Sequence, residues 1–201
     1  MVSKVYSAAT HGVEATPVEI EVNQTRSLPS VVIVGLPDAA VKESRDRVKT
    51  AIENSGFRFP FGRTTINLAP ADIKKEGPSF DLPIAIGVLK ASDQLDSAHL
   101  GDFCFVGELA LDGSVRRVKG ALSIAIEARR RGMRGMVVPI ENAQEASVVG
   151  GIQVIPVENL RQAAGWLMGE ISIDPASASL EELFLHRRGY DVDLAEVRGQ
   201  E

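Results

Sequence analysis

Cysteine and histidine are scarce in this sequence, and this limits the chemistry available to it. Its 201 residues include one cysteine, Cys104, and three separated histidines, His11, His99 and His186. One thiol excludes an intramolecular disulfide framework, and its apolar surroundings, DFCFVG, predict a buried and unreactive side chain. Without an HExxH motif or a cluster of carboxylates, the sequence offers no zinc-binding pattern. No metal site is therefore predicted.

Long apolar runs and phosphate-binding loops are also absent from the sequence. No run reaches the roughly 20 apolar residues that span a bilayer, and the first residues, MVSKVYSAATHG, lack the apolar core of a secretory signal. We therefore expect a cytoplasmic protein without a membrane partner. The pattern G-x-x-x-x-G-K-[ST], whose backbone amides hold nucleotide phosphates, does not occur. No cofactor is expected for this chain.

The net charge of −5 conceals a segregation of charge along the sequence. Residues 114–135 carry a net charge of +6, with Glu127 as the one acid, so the remaining residues carry −11. A basic surface on an acidic protein is typical of a nucleic-acid or anion site. The alternative is that these side chains form the solvated faces of a strand and a helix. The basic residues are Arg116, Arg117, Lys119, Arg129, Arg130, Arg131 and Arg134.

Strand and helix signals predict an α+β or mixed α/β domain, in which strands come first and alternating strand–helix units follow. The domain is predicted to end near Gly169, and a small, polar stretch at 170–189 indicates a linker. Strands are predicted at 3–9, 18–24, 30–36, 64–70, 103–111, 114–118, 133–139 and 152–157, and helices at 37–54, 80–90, 121–131, 141–151 and 159–169.

Three of these segments carry definite expectations about their surroundings. The β-branched run at 30–36, SVVIVGL, predicts a strand that is buried on both faces. The segment from Phe80 to Lys90 is apolar almost all round, which is typical of a helix at the centre of a core. The pair Asp112–Gly113 predicts the turn of a β-hairpin.

Ser79 stands out because it lies in the sequence KEGPS, directly before the apolar helix. Its hydroxyl could cap that helix by accepting a backbone N–H near Leu82. It could also be a nucleophile, with helix amides placed to hold an oxyanion. A serine nucleophile needs a histidine or lysine base within hydrogen-bond reach, but the histidines are isolated. We expect Lys74 and Lys75, on the same loop, to face solvent or bind anions.

Three longer stretches resemble one family when they are taken together. They are VVIVGLPDAAVKESRDRVKTAIENSGFRFP, INLAPADIKKEGPSFDLPIAIGVL and FVGELALDGSVRRVKGALSIAIEARRRG. In this order they resemble the Mg-chelatase-like AAA+ proteins of the competence protein M (ComM/YifB) group. The resemblance implies that residues 1–169 form a ribosomal S5 domain 2-like fold, in the variant found in Lon proteases.

The end of the chain resembles the start of a further module in that family. Residues 190–201, YDVDLAEVRGQE, resemble the stretch that opens the AAA+ ATPase module, before its phosphate loop. The resemblance implies a parent protein that is an ATP-driven motor on DNA, associated with branch migration during natural transformation. ATP and Mg2+ would bind the ATPase module, and the partners would be that module and neighbouring subunits of a hexameric ring.

The same resemblance bears on catalysis. In Lon proteases the serine of the GPS loop works with a lysine on the helix that follows the Gly-Glu strand. Here Ile124 takes the place of that lysine, and Leu122 is also apolar. Lys119 is more than one helical turn away and is expected to project elsewhere. We therefore predict that the chain is not an enzyme and that Ser79 is a vestigial nucleophile.

A DNA-binding role follows from a further resemblance, to the C-terminal domain of the recombination protein RadA. It implies a noncatalytic domain that serves DNA binding and ring assembly. Two alternatives stay open: a Lon-like serine hydrolase that uses Ser79 with an unorthodox base, and a pure protein-interaction module. The candidate phosphate contacts are Arg63, Lys74, Lys75, Arg116, Arg117 and Lys119.

Overall fold

A mixed sheet with helices on both faces organises the chain, as seen in a computed structural model that describes residues 2–178. The strands within this range are β1 (Val2–His11), β2 (Glu14–Thr25), β3 (Ser30–Val34), β4 (Arg63–Ala69), β5 (Phe103–Phe105), β6 (Glu108–Leu109), β7 (Val115–Arg116), β8 (Gly135–Pro139) and β9 (Gln153–Val157). The helices are α1 (Ala39–Asn54), α2 (Asp81–Ala91), α3 (Ala121–Arg130), α4 (Ala143–Ser147) and α5 (Leu160–Leu167).

The main sheet joins seven of the described strands in the order β3-β4-β2-β1-β5-β8-β9. The long strands β1 and β2 pair antiparallel, as do β2 and β4, whereas the other neighbours in the sheet run parallel. This mainly parallel sheet confirms the mixed α/β class. The finer assignment to the S5 domain 2-like, Lon-type fold stays a prediction.

Alternating side chains of the sheet divide the core into two layers. Val5, Ile20 and Phe105 point to the face that α1, α2 and α5 cover. Ala8 and Cys104 point to the opposite face, which α3 and α4 cover. Helix α2 is buried on all sides from Asp81 to Leu89, which confirms its predicted place at the centre of the core.

Two strand predictions need correction. The run at 30–36 forms the short strand β3, which is half exposed because it lies at the edge of the sheet and has one neighbour. The predicted strand at 103–111 is divided at Val106–Gly107. Only β5 joins the main sheet, while β6 pairs with β7 in the hairpin predicted from Asp112–Gly113. Gly107 leaves the sheet because its amide donates to Ser79 O (2.9 Å).

Packing on the domain continues beyond the predicted boundary at Gly169. The side chain of Ile173 packs against the first core layer and that of Ala176 against the second. The amide of Ala176 also donates to Val154 O in β9 (2.8 Å). The rest of the predicted linker, and the predicted start of the ATPase module at 190–201, lie outside the described residues. None of the described helices has the length and apolar character needed to cross a membrane.

Candidate functional site

The KEGPS loop is fixed to the start of α1 by backbone and side-chain hydrogen bonds. Lys75 N donates to Leu36 O (3.2 Å), and Asp38 N donates to Lys75 O (3.0 Å). The carboxylate of Asp38 caps α1 by accepting from Val41 N (2.8 Å), and its second oxygen accepts from Gly77 N (3.1 Å). One aspartate therefore orders both the helix start and the loop before Ser79.

Ser79 lies in a 3-10 turn, Pro78–Phe80, that leads into α2. The prediction that its hydroxyl caps α2 is wrong, because Leu82 N donates to Gly107 O instead (3.0 Å) and α2 has no side-chain cap. Among residues 2–178 the Ser79 hydroxyl makes no hydrogen bond. Ser79 is partly exposed, and no base in the described part of the chain is hydrogen-bonded to its hydroxyl.

Ser79 borders a groove of about 480 Å³ between the KEGPS loop, the β6–β7 hairpin and the loop before α3. Lys119 borders the same groove, so the prediction that it projects elsewhere is wrong. Lys119 lies in the loop between β7 and α3, and this loop borders the groove. The charged groups lining the groove are Asp38, Glu76, Glu108, Arg117 and Lys119.

Most of these charges already have partners. Glu108 lies 3.6 Å from Arg116, and Glu76 lies 2.6 Å from Lys74. Arg117 lies 3.9 Å from Glu145 of α4. With three carboxylates and two cations, the groove is mixed in sign rather than basic.

Lys75 contradicts the expectation that both loop lysines face solvent. Its side chain is completely buried, and its amino group donates a hydrogen bond to the carbonyl oxygen of Pro70. Burial lowers the pKa of this amino group because the charged form loses its hydration. Lys74, its neighbour, is exposed as expected.

The six predicted phosphate contacts do not form one cluster. Arg63 begins β4, whereas Lys74 follows the opposite end of that strand, which is about 20 Å long at the usual rise per residue. Arg116, Arg117 and Lys119 form a separate group on the hairpin and the loop after it. Only Arg63 and Lys119 of the six are exposed without an ion pair among the described residues.

Ile124, which the sequence comparison puts in place of the Lon lysine, lies in the core. Ile124 of α3 is buried with Ala8, Cys104 and Met136 in the second core layer. Its side chain therefore packs in apolar surroundings and contributes no base. Leu122, on the same helix, is partly exposed, and its amide donates to Glu145 Oε1 (3.2 Å).

A buried ion pair beside the groove was not predicted. Asp81 is fully buried at the start of α2 and accepts hydrogen bonds from Arg47 Nε (2.9 Å), Leu109 N (3.2 Å) and the Ser44 hydroxyl. Burial raises the pKa of the Asp81 carboxyl, and the hydrogen bonds from Arg47 and Ser44 oppose that rise. The sequence does contain a signal for this ion pair, because a carboxylate in the first turn of a buried apolar helix needs a partner that is also buried.

Comparison with known proteins places this fold in a family. The family described as subunit ChlI of Mg-chelatase matches residues 20–142, which is more than half of the chain. The chain belongs to the Mg-chelatase-like ComM/YifB family. It is 43% identical over 198 residues to competence protein ComM of Haemophilus influenzae, covering 98% of this chain and 39% of ComM.

Two further relatives extend the comparison. YifB of Escherichia coli, an uncharacterized protein, is 42% identical over 202 residues, covering 99% of this chain and 38% of YifB. DNA repair protein RadA of Bacillus subtilis is 34% identical over 97 residues, covering 48% of this chain and 21% of RadA. The chain thus spans about two fifths of the length of its ComM/YifB relatives.

Membership of the ComM/YifB family raises the question of nucleotide and Mg2+ binding. The sequence has no G-x-x-x-x-G-K-[ST] loop, and residues 2–178 contain no group of three or more acidic, histidine or cysteine side chains that could hold a metal ion. The described residues therefore do not fit ATP with Mg2+.

Proposed function

We propose that this chain is the noncatalytic N-terminal domain of a ComM-like AAA+ motor that acts on DNA, and that it serves DNA binding and ring assembly. The observation that carries this proposal is the similarity to ComM over 98% of the chain, together with coverage of only 39% of ComM. The remainder of such a protein would supply the ATPase, its ATP and Mg2+, and the hexameric ring used for branch migration in natural transformation.

The noncatalytic part of the proposal rests on the surroundings of Ser79. Its hydroxyl has no hydrogen-bonded base among the described residues, and Ile124 is buried where the Lon-like lysine would lie. A serine without a base is a poor nucleophile at neutral pH. The groove is therefore better suited to holding a ligand than to cleaving one.

The DNA-binding part rests on Arg116, Arg117 and Lys119, which are exposed together beside the groove. Their ion pairs are long, 3.6 Å for Arg116 and 3.9 Å for Arg117, and such exposed pairs contribute little stability. A phosphate could therefore replace either glutamate without a large loss. Binding through phosphates weakens steeply with salt, because condensed counterions are released from the nucleic acid.

A salt series with labelled single-stranded and forked DNA tests this contact. The variant Arg116→Ala/Arg117→Ala/Lys119→Ala should bind more weakly and with a smaller salt slope. The control Lys42→Ala/Arg45→Ala/Lys49→Ala removes the same charge from exposed positions of α1. If the two variants bind alike, or if the unmodified chain does not bind at low salt, DNA contact through the hairpin is wrong.

An assembly role is supported by the exposed edge of the sheet. Strand β3 has one neighbour, and Leu28 and Leu36 beside it are 87% and 53% exposed. An open strand edge with apolar neighbours favours association. Sedimentation of this chain and of its parent, with and without ATP, tests this role and the alternative of a pure interaction module. If the chain and its parent both sediment as monomers, with and without ATP, both roles are contradicted.

Serine hydrolysis stays a second candidate because Ser79 and Lys119 border one groove. A serine-reactive fluorophosphonate would then label the chain, and Ser79→Ala would abolish labelling. Lys119→Met should slow it if Lys119 is the base. Equal labelling of the chain and of Ser79→Ala would contradict this candidate.

A further inference from the structure

We infer that the C-terminal end of α3, opposite the end that borders the Ser79 groove, carries a binding site for single-stranded nucleic acid. Its phosphate contacts would be Arg131 and Arg134, and its base contacts Tyr6 and Trp166. This inference rests on the proposed DNA-binding role, but it assigns the contact to a different surface. We call this surface the α3-end site.

Two adjoining grooves form the α3-end site. The first, of about 360 Å³, is lined by Tyr6, Asp102, Arg131 and Arg134 together with backbone from Gly101 and Gly132. The second, of about 200 Å³, is lined by His99, Phe103, Arg134 and Trp166. Arg134 lines both grooves, so they adjoin at its side chain.

The two arginines of this site are available to an anion. Arg130 is bound by Glu127 (2.8 Å) and Arg129 donates to Val149 O (2.7 Å), so these neighbours are engaged. By contrast, Arg131 and Arg134 are exposed and form no ion pair within residues 2–178. The Arg134 guanidinium carbon lies 5.7 Å from the ring centroid of Phe103, and this cation–π contact holds it at the groove.

The balance of charge favours this surface over the Ser79 groove. One carboxylate, Asp102, lines the α3-end site, and its Oδ2 lies within hydrogen-bond distance of His99 Nδ1 (3.0 Å). Glu19 lies across from Tyr6 on β2 and Glu21 lies across from Lys4, and Lys4 forms ion pairs with both carboxylates. The Ser79 groove, by contrast, is lined by three carboxylates and two cations. Phosphate is therefore repelled less at the α3 end.

Aromatic side chains beside the arginines indicate a single strand rather than a duplex. Tyr6 and Trp166 are each partly exposed, so part of each ring can contact a base. Trp166 is held edge-on against Phe103, with ring centroids 4.9 Å apart. Alternating arginine and aromatic groups bind unpaired strands, in which bases are free to stack on protein rings, whereas duplex bases stack on each other.

Trp166 makes the site directly observable, because it is the only tryptophan in the sequence. Titration with a dT oligonucleotide should change its fluorescence, while an abasic oligonucleotide of equal length should bind with a smaller change. Tripolyphosphate tests whether phosphate alone is the ligand. In parallel, the anisotropy of a labelled oligonucleotide measures affinity without relying on Trp166.

The decisive comparison uses two double variants with the same loss of charge. Arg131→Ala/Arg134→Ala should raise the dissociation constant at least tenfold at low salt and lower the salt slope by about 1.4, the value expected for two phosphate contacts on a single strand. Arg129→Ala/Arg130→Ala should bind like the unmodified chain, because those guanidinium groups are already engaged. Circular dichroism checks that both variants are folded.

Each result distinguishes this inference from the proposal before it. Loss of binding in Arg131→Ala/Arg134→Ala alone supports the α3-end site. Loss only in Arg116→Ala/Arg117→Ala/Lys119→Ala retains DNA binding and overturns this site. Equal effects of the two double variants, oligonucleotide binding without a change at Trp166, or tripolyphosphate binding as tight as the oligonucleotide also overturn it. Absence of any binding contradicts both proposals.

Discussion

Lys75 is the residue whose environment departs most from the expectation of its sequence. It is among the largest side chains that the described fold buries completely, although the pair Lys74–Lys75 suggested two solvated cations. The backbone of Lys75 is bound to Leu36 and Asp38, and this fixes its side chain inward toward Pro70. A buried amino group with a lowered pKa makes stability depend on pH.

We expect this dependence to disappear in Lys75→Met. In the unfolded chain a lysine stays protonated up to about pH 10.4, whereas the folded chain releases the Lys75 proton at lower pH. The unfolded state therefore binds more protons in that window, and stability rises with pH toward pH 10.4. Urea unfolding of both proteins across alkaline pH should show the unmodified chain gaining stability relative to the variant. Lys74→Met, an exposed control, should retain the slope.

Cys104 gives a second prediction for a single residue. Burial raises the pKa of its thiol to about 12, so almost none is thiolate at pH 8. Iodoacetamide at pH 8 should therefore leave the folded chain unmodified and alkylate it fully in denaturant. Mass spectrometry of both samples makes the comparison, and rapid alkylation of the folded chain would contradict the buried position.

For single residues, sequence reasoning located the site better than it described the contacts. Ser79 was identified from KEGPS and does border a groove, but its capping role depended on a Leu82 amide that binds Gly107 instead. Lys119 was expected to project away from Ser79, but the loop that carries it borders the same groove. The Asp81–Arg47 pair joins residues 34 positions apart, and no local pattern specifies such a partner.

Among the elements, α1 is joined at its start to the KEGPS loop, and Asp38 makes the connection. The two carboxylate oxygens of Asp38 serve different segments, one capping α1 at Val41 N and the other binding the loop at Gly77 N. An asparagine can accept only one of these hydrogen bonds. The side-chain NH2 group of asparagine is a donor and cannot accept from Gly77 N. Its carbonyl oxygen can still cap α1, about as well as an aspartate does.

Variants of Asp38 should therefore separate the two functions of this residue. Asp38→Ala should lower the free energy of unfolding by about 2 kcal/mol, from the lost cap and the lost loop bond. Asp38→Asn should lose only about 1 kcal/mol, from the loop bond. Urea unfolding measures both values, and amide hydrogen exchange at Gly77 should speed up in both variants. Equal stability of the two variants would contradict this division.

Strand predictions succeeded where local pattern decides the structure and failed where topology does. The Asp112–Gly113 turn was predicted correctly because its sequence alone favours a hairpin. The run at 30–36 is apolar enough for a central strand, but the sheet places it at an edge. The division at Gly107 depends on backbone groups of Ser79 and Leu82, which no periodicity in 103–111 reveals.

For the whole molecule, the predicted class and central helix were right because they follow from long, repeated patterns. The order of strands in the sheet was not predicted, and it decides where charged loops meet. The basic segment 114–135 is continuous in sequence, yet the structure separates it into a group before α3 and a group at and beyond the C-terminal end of α3. Net charge by segment therefore does not show where on the molecule the basic side chains lie.

The domain boundary gives a prediction for the whole molecule. A chain that ends at residue 178 keeps the packing of Ile173 and Ala176, whereas one that ends at Gly169 loses both, along with the hydrogen bond to Val154. We expect the shorter chain to be less stable by about 1–3 kcal/mol, the usual value for exposing an aliphatic side chain. Urea unfolding of the two chains tests this, and equal midpoints would place the boundary at Gly169.

The joint between β1 and β5 has a consequence for how the chain acquires its structure during synthesis. Tyr6 is in register with Cys104, and this is the one paired position that joins β1 to β5. Residues 2–69 can pair β1, β2, β3 and β4 as soon as they leave the ribosome, but the sheet cannot extend until β5 has been made. Pairing β1 with β5 closes a long loop of chain, and the resulting loss of conformational entropy is offset by only one paired position. We therefore expect the pairing of β1 with β5 to limit the folding rate. Until it forms, one edge of β1 in the N-terminal half of the sheet stays unpaired.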